Sequence, residues 1–123
     1  MSIRVLIVDD LSFMRNAIRE IVEASGMHVS AEAENGEEGV QRYRETHPDV
    51  VLMDITMPVV DGIESLRRIM HLDSAARVVM CSALGQQEYI IRAIQFGARD
   101  FIVKPFRPER IISAVRKAAR VWP

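Results

Sequence analysis

The stretch VVLMDITMP, residues 50–58, is the part of the chain from which the architecture can be worked out. It is an apolar run followed by a single carboxylate, Asp54, and a short segment that ends at Pro58. A short apolar run bounded by turn residues is typical of a strand that is buried on both faces of a sheet. Asp54 therefore stands where the backbone leaves the sheet. An acid in that position either caps a turn, which is the commoner role, or belongs to a functional site.

Four other strands and five amphipathic helices alternate with this strand along the chain. The segment 28–34 alternates apolar and polar residues, which indicates an edge strand with one solvated face. The first helix is predicted to start with Ser12 as its N-cap, and the last, from about Pro108, carries an apolar stripe that reaches Trp122. Such alternation favours right-handed βαβ units. We therefore predict an α/β fold, a doubly wound five-stranded parallel sheet with five helices.

Length and composition predict one domain that spans residues 1–123, with no output domain. The formal charge of −1 gives no reason to expect binding to nucleic acid or to a membrane surface. No apolar stretch approaches the roughly 20 residues that a membrane span needs, and the N-terminus lacks a signal-peptide pattern. The lone Cys81 lies in an apolar run, so we interpret it as a core residue in a reducing compartment. Without a signal peptide or a membrane span, we expect a cytoplasmic protein. We also expect a monomer, because no apolar face remains after the helices are placed.

The residues that follow the predicted strands share a chemistry. In open parallel sheets, ligands bind beyond the carboxyl ends of the strands, where these residues converge. They comprise three acids, a hydroxyl and an amine: Asp9, Asp10, Asp54, Ser82 and Lys104. Turn caps placed by chance would not select such matched groups, so the pattern favours a functional site. A nucleotide- or flavin-binding domain is disfavoured, because acids stand where its Gly-rich loop would follow the first strand.

The chemistry of these groups suits a metal ion and a phosphoryl group. Three carboxylates in one crevice repel each other unless a cation lies among them, and ligands that are all oxygens favour Mg²⁺. A cation together with Lys104 would bind a small dianion. Asp54, on a central strand, is the best placed carboxylate to attack phosphorus, with Ser82 as a donor to the phosphoryl oxygens.

Four segments carry a family resemblance: IRVLIVDD (3–10), VLMDITMPVVDG (51–62), VMCSA (79–83) and FIVKPF (101–106). Together they resemble the receiver domains of two-component response regulators, most of all the stand-alone chemotaxis type. The resemblance covers essentially the whole chain, in order and with fitting spacings. It implies the strand order 2-1-3-4-5, which this family shares with flavodoxin.

The resemblance also implies a role for each site residue. Asp54 matches the phospho-acceptor, and Mg²⁺ would be held by Asp9, Asp10, Asp54 and the backbone carbonyl of Thr56. Ser82 and Lys104 match the groups that bind the phosphoryl group, and Ser82 and Phe101 the switch pair, although Phe101 could equally be a core residue. The Lys104–Pro105 bond is implied to be cis. A weaker expectation concerns the partner surface: Tyr89, Arg92, Gln95, Phe101 and Lys117.

By resemblance, the chain is a signalling receiver and not an enzyme, since it would catalyse only its own phosphorylation and dephosphorylation. A histidine kinase would supply the phosphoryl group, and the phosphorylated form would bind a protein target such as the flagellar motor switch. A phosphate sink or phosphorelay shuttle is the alternative within the same class. A phosphatase of the haloacid dehalogenase type is a third hypothesis. It is disfavoured because Thr56 stands where that class needs a second acid.

Overall fold

The computed structural model describes residues 2–120, and in this part of the chain strands and helices alternate strictly. Trp122, predicted on the stripe of the last helix, lies outside the described residues. No helix between residues 2 and 120 is long and apolar enough to cross a membrane. In chain order the elements are β1 Arg4–Val8, α1 Ser12–Ala24, β2 His28–Ala33, α2 Gly36–Thr46, β3 Val50–Asp54, α3 Gly62–Leu72, β4 Val78–Ser82, α4 Gln87–Gln95, β5 Asp100–Val103 and α5 Pro108–Ala118.

The five strands form one parallel sheet in the order β2-β1-β3-β4-β5, which confirms the prediction. Strand β3 is the middle strand and every one of its residues is buried. In the register, Met53 pairs with Val8 of β1, and Asp54 pairs with Cys81 of β4. The carboxyl ends of these three strands are therefore level. We call this side of the sheet the carboxyl edge.

Helices cover both faces of the sheet, because successive residues of a strand point to opposite sides. On one face, Val51 and Met53 pack with residues of α2, α3 and α4, such as Leu66. On the other face, Leu52 packs with residues of α1 and α5, such as Ile111. These side chains are all at most 1% exposed, and burying each contributes about 1.5–3 kcal/mol. The two cores hold the strand ends in fixed positions.

The helix starts differ from the sequence prediction in one case. Helix α1 begins at Ser12 itself, its N-cap position is Leu11, and no side chain caps it, so the prediction that Ser12 is the N-cap was wrong. The physical reason is that the Asp9 carboxylate reaches forward along the chain and accepts a hydrogen bond from the Leu11 N–H at 2.9 Å, which fixes the chain before the helix. Asn35 and Asp61 do cap α2 and α3 through their side chains.

Helix α4 is the least buried helix of the described chain. Ala93 is its only fully buried residue, whereas Ile91 and Ile94 are 58% and 49% exposed. In the preceding loop, Leu84 is 79% exposed. The expectation that no apolar face is left over was therefore wrong: α4 turns Ala93 towards the core, and Ile91 and Ile94, farther round the helix, stay exposed. The monomeric state stays a prediction.

Candidate functional site at the carboxyl edge

Three carboxylates converge at the carboxyl edge, as the sequence predicts. Asp9 and Asp10 follow β1, and Asp54 is the last residue of β3. One carboxylate oxygen from each lies within 4.8 Å of the other two. Asp9 is 1% and Asp54 8% exposed, whereas Asp10 is exposed to solvent. The cluster is thus a partly buried acidic crevice with one open side.

Lys104 reaches the same crevice from the end of β5. Its Nζ lies 3.2 Å from Asp9 Oδ2 and 3.2 Å from Asp54 Oδ1, so one amine pairs with both buried acids. Its backbone N–H donates to the Ser82 carbonyl at 2.7 Å, which holds the chain beside β4. The following Lys104–Pro105 bond is cis, as the resemblance implied. The predicted acids and the predicted amine are therefore in direct contact.

The electrostatics of the crevice favour added positive charge. Burial raises the pKa of Asp54 from 3.8 to about 6; Lys104 opposes this shift, and the charge of Asp9 adds to it. Burial would lower the pKa of Lys104, but Asp54 and Asp9 outweigh it and raise this pKa above its ordinary value. The amine is therefore kept protonated, and the acids still hold more negative charge than it balances.

The carboxylate of Asp54 does not organise the turn that follows it. Within residues 2–120 it accepts hydrogen bonds from Lys104 alone and from no backbone N–H. The loop is closed by backbone contacts instead: Gly62 N–H donates to the Ile55 carbonyl at 2.7 Å, and Asp61 caps α3. A Cβ at Gly62 would overlap the Asp54 carbonyl oxygen, so this close approach needs glycine. The turn-cap interpretation of Asp54 was therefore wrong, and Asp61 has that role.

Ser82 ends β4 with its side chain fully buried, and its Oγ has no hydrogen-bond partner in the described chain. A buried polar group without a partner costs about 1–3 kcal/mol. A functional role is one recognised reason for such a group to be retained. A hydroxyl in this position can donate to an acceptor atom brought to the carboxyl edge.

The donor set fits Mg²⁺. All candidate ligands in the cluster are carboxylate oxygens, which a hard divalent cation prefers. The nearby Cys81 is not a competing soft ligand, because it is buried and burial raises the pKa of its thiol to about 12. The residues that could hold the ion are Asp9, Asp10 and Asp54. The part assigned to the Thr56 carbonyl stays a prediction.

The predicted switch and partner residues do not all lie together. Phe101 is partly buried: it packs against the core under α4 and lines a groove with Leu84 and Ile91. On α4, Tyr89, Arg92 and Gln95 follow one another at helical spacing and are exposed. Lys117, by contrast, lines a cleft with Arg99 and Asp100, at the opposite end of β5 from Lys104. The structure thus separates Lys117 from the other four.

Sequence reasoning missed Gln86. Its Oε1 accepts a hydrogen bond from the Ala83 N–H at 2.7 Å, and its Nε2 donates to Thr56 Oγ1 at 2.8 Å. It therefore joins the loop after β3 to the loop after β4. No local pattern could have indicated this role, because the residue that it reaches lies 30 positions away.

Fold and site together define a receiver domain: a doubly wound sheet with an acidic pair, a buried acid, a hydroxyl and a lysine at its carboxyl edge. Residues 5–116 match the family model for the response regulator receiver domain, and the chain belongs to that family. Among curated proteins it is similar to the chemotaxis protein CheY of Bacillus subtilis. The two are 54% identical over 117 residues, which cover 95% of this chain and 98% of CheY.

Solved structures agree with this assignment. The response regulator domain of Thermotoga maritima CheB has a TM-score of 0.91 and 37% identity, with 100% of both chains covered. A chain of the CheX-CheY-BeF₃-Mg²⁺ complex from Borrelia burgdorferi has a TM-score of 0.89 and 38% identity, covering 94% of this chain and 87% of that one. The protein is therefore a CheY-like receiver domain, and its class is a signalling protein.

Proposed function

We propose that this chain is the phospho-accepting response regulator of a chemotaxis system, and that it takes a phosphoryl group from a histidine kinase onto Asp54. One observation carries the proposal: the Asp54 carboxylate is buried at the carboxyl edge, is bound to no backbone group of the described chain, and is flanked by Asp9 and Lys104. The similarity to CheY proteins supports the chemotaxis setting.

In the proposed reaction, Asp54 is the nucleophile. A carboxylate oxygen forms a bond to phosphorus, the bond to the imidazole nitrogen of the donor breaks, and that nitrogen keeps the electron pair. A pKa of about 6 leaves Asp54 mostly ionised at pH 7, as attack requires. Held by Asp9, Asp10, Asp54 and the Thr56 carbonyl, Mg²⁺ would supply positive charge to the phosphoryl oxygens. The same acyl phosphate is later hydrolysed, which is the only turnover that we propose.

The neighbours of Asp54 would bind the transferred group. The amine of Lys104, which pairs with Asp9 and Asp54 at 3.2 Å, can move a short distance to a phosphoryl oxygen. Ser82, a buried hydroxyl without a partner, can donate to another. Phe101 lies on β5, the strand that pairs with β4, and is opposite Met80 in the register. As the resemblance implies, its ring would turn inward when the Ser82 hydroxyl moves.

The proposed output is binding of a protein target, such as the flagellar motor switch. The exposed face of α4 supports this role through Tyr89, Arg92 and Gln95, together with the neighbouring Phe101. Lys117 belongs to the proposed surface only if the target also covers the amino end of β5. We place the protein in the cytoplasm, since a histidine kinase draws its phosphoryl group from ATP. We also propose that the unphosphorylated form is a monomer.

A binding experiment tests the output. Purified motor-switch protein is captured on a surface, and binding of the receiver is measured with Mg²⁺, with and without beryllofluoride as a phosphoryl mimic. We expect the mimic to increase binding by at least tenfold, and Asp54→Asn to show no such increase. Binding that the mimic leaves unchanged would contradict a messenger and favour a phosphate sink or a phosphorelay shuttle.

A further inference from the structure

Gln86 forms a side-chain bridge between the two loops that frame the acceptor. The last backbone link between them is the Ile55 N–H, which donates to the Cys81 carbonyl at 3.1 Å. Beyond it the chains diverge, towards α3 on one side and α4 on the other. The Gln86 carboxamide spans this gap, since it accepts from the Ala83 N–H and donates to Thr56 Oγ1. We call this pair of hydrogen bonds the Gln86 clasp.

The clasp leaves α4 without a side-chain cap. Gln86 occupies the N-cap position, but its side chain makes no capping hydrogen bond, because the carboxamide is engaged by Thr56 and Ala83. Since Ala93 is the only fully buried residue of α4, few apolar contacts hold this helix. The start of α4 is therefore anchored to the acceptor loop through one polar side chain.

Both partners of the clasp lie next to site residues. Thr56 follows Asp54 by two positions, and Ala83 follows Ser82 directly. A phosphoryl oxygen on Asp54 would attract the unpartnered Ser82 hydroxyl, and the adjacent Ala83 amide would be carried along. A charged oxygen also competes for that N–H, since charge-assisted hydrogen bonds are about twice as strong as neutral ones. The bond from Ala83 to Gln86 therefore belongs to the unphosphorylated arrangement.

We propose that Gln86 is a positioning residue of the switch: its carboxamide holds the two loops together while Asp54 is unphosphorylated and releases both when Asp54 is phosphorylated. This inference rests on the proposed function. Release would free the first turn of α4, which leads directly into the surface that carries Tyr89. The clasp thus opposes the phosphorylated state and links the site to the output helix.

The test measures the affinity for beryllofluoride at saturating Mg²⁺. Gln86→Met keeps the length of the side chain and removes both hydrogen bonds, so we expect its affinity to rise about three- to tenfold above that of the unmodified protein. Gln87→Met is the matched control, because Gln87 is exposed and makes no side-chain hydrogen bond within residues 2–120. Its affinity should stay within about 1.5-fold of the unmodified protein, since it breaks no such bond.

A second variant approaches the clasp from its other end. Thr56→Val removes the acceptor of the Gln86 amide, so we expect a rise in the same direction. The double variant Gln86→Met/Thr56→Val should increase the affinity for beryllofluoride by less than the product of the two single fold-changes, because both substitutions remove the same contact. In mimic-free protein, Gln86→Met should also speed hydrogen exchange of the Ala83 amide, whereas Gln87→Met should not.

The outcomes separate this inference from the proposed function. Unmodified protein that fails to bind the mimic would overturn the proposed function and the clasp with it. If the unmodified protein binds but Gln86→Met binds equally well, the clasp has no part in the switch. Weaker binding by Gln86→Met would also overturn the inference, since the contact would then belong to the phosphorylated state.

Discussion

Replacing Asp54 by Asn should stabilise the metal-free protein. Burial raises the pKa of Asp54 from 3.8 to about 6, so the folded state carries a penalty whenever this carboxyl is ionised. A shift of about two pKa units corresponds to about 3 kcal/mol. Asn has the same shape and no charge, but it loses the ionic contact with Lys104 Nζ at 3.2 Å. We therefore expect Asp54→Asn to raise the free energy of unfolding by about 2 kcal/mol at pH 8.

The pH dependence follows from the direction of the shift. Because the pKa is higher in the folded state, that state binds the proton of Asp54 more tightly than the unfolded chain does. This contribution to stability is fully present below pH 3.8 and is lost as the pH rises through about 6. The variant lacks the titrating group. The difference in the free energy of unfolding between Asp54→Asn and the unmodified protein should therefore be near zero at pH 4, grow between pH 4 and 6, and level off above pH 7.

Urea unfolding followed by circular dichroism, in EDTA and at several pH values, measures this difference. Asp61→Asn is the matched control, since Asp61 is exposed, caps α3, and Asn is an equally good cap. Its effect should stay within about 0.5 kcal/mol at every pH. Mg²⁺ should stabilise the unmodified protein more than it stabilises Asp54→Asn, so the difference in their free energies of unfolding should become smaller. A variant no more stable than the unmodified protein at pH 8, or a gap independent of pH, would refute the reasoning.

Three further predictions concern neighbouring positions. Ser82→Ala removes a buried hydroxyl without a partner, so the free energy of unfolding should fall by less than about 1 kcal/mol or rise. The variant should bind beryllofluoride more weakly. A large loss of stability would show that the hydroxyl is satisfied. Gly62→Ala should cost about 3 kcal/mol or more in urea unfolding, because the new Cβ overlaps backbone. Gly26→Ala, with positive φ but open space, should cost only about 1–2 kcal/mol, and equal costs would contradict the steric argument. Lys104→Met leaves Asp9 and Asp54 without their shared cation, so the free energy of unfolding of the metal-free protein should fall by about 2–3 kcal/mol. The loss should be smaller with Mg²⁺. Equal losses with and without the ion would contradict the idea that Lys104 and Mg²⁺ balance the same charges.

The sheet and the convergence of the site could be predicted because both depend on local patterns. Apolar runs that end at Val8, just before Asp54 and just before Ser82 fix where strands stop, and parallel strands bring those ends to one edge. The cap of α1 could not be predicted in the same way. Ser12 has the side chain of a cap, but Asp9 binds the backbone before the helix starts. Composition alone does not show that the chain is already fixed at Leu11 and enters the helix one residue before the expected position.

Contacts between distant loops were also beyond sequence reasoning. The bond from Gln86 to Thr56 depends on how two loops run after their strands have ended. The exposure of Ile91 depends on how helix α4 is rotated against the sheet, which an apolar count does not determine. Lys117 was grouped with the residues of α4, although it lies at the amino end of β5. Each of these features is set by tertiary packing.

Phosphotransfer tests the central claim most directly. The purified protein is incubated with Mg²⁺ and a phosphorylated histidine kinase or acetyl phosphate, and the phosphorylated residue is located by mass spectrometry. We predict a label on Asp54 that is absent from Asp54→Asn and from reactions in EDTA, while Asp61→Asn is labelled like the unmodified protein. A label that persists in Asp54→Asn, or that falls on another residue of the unmodified protein, would contradict the assignment of Asp54 as the phospho-acceptor.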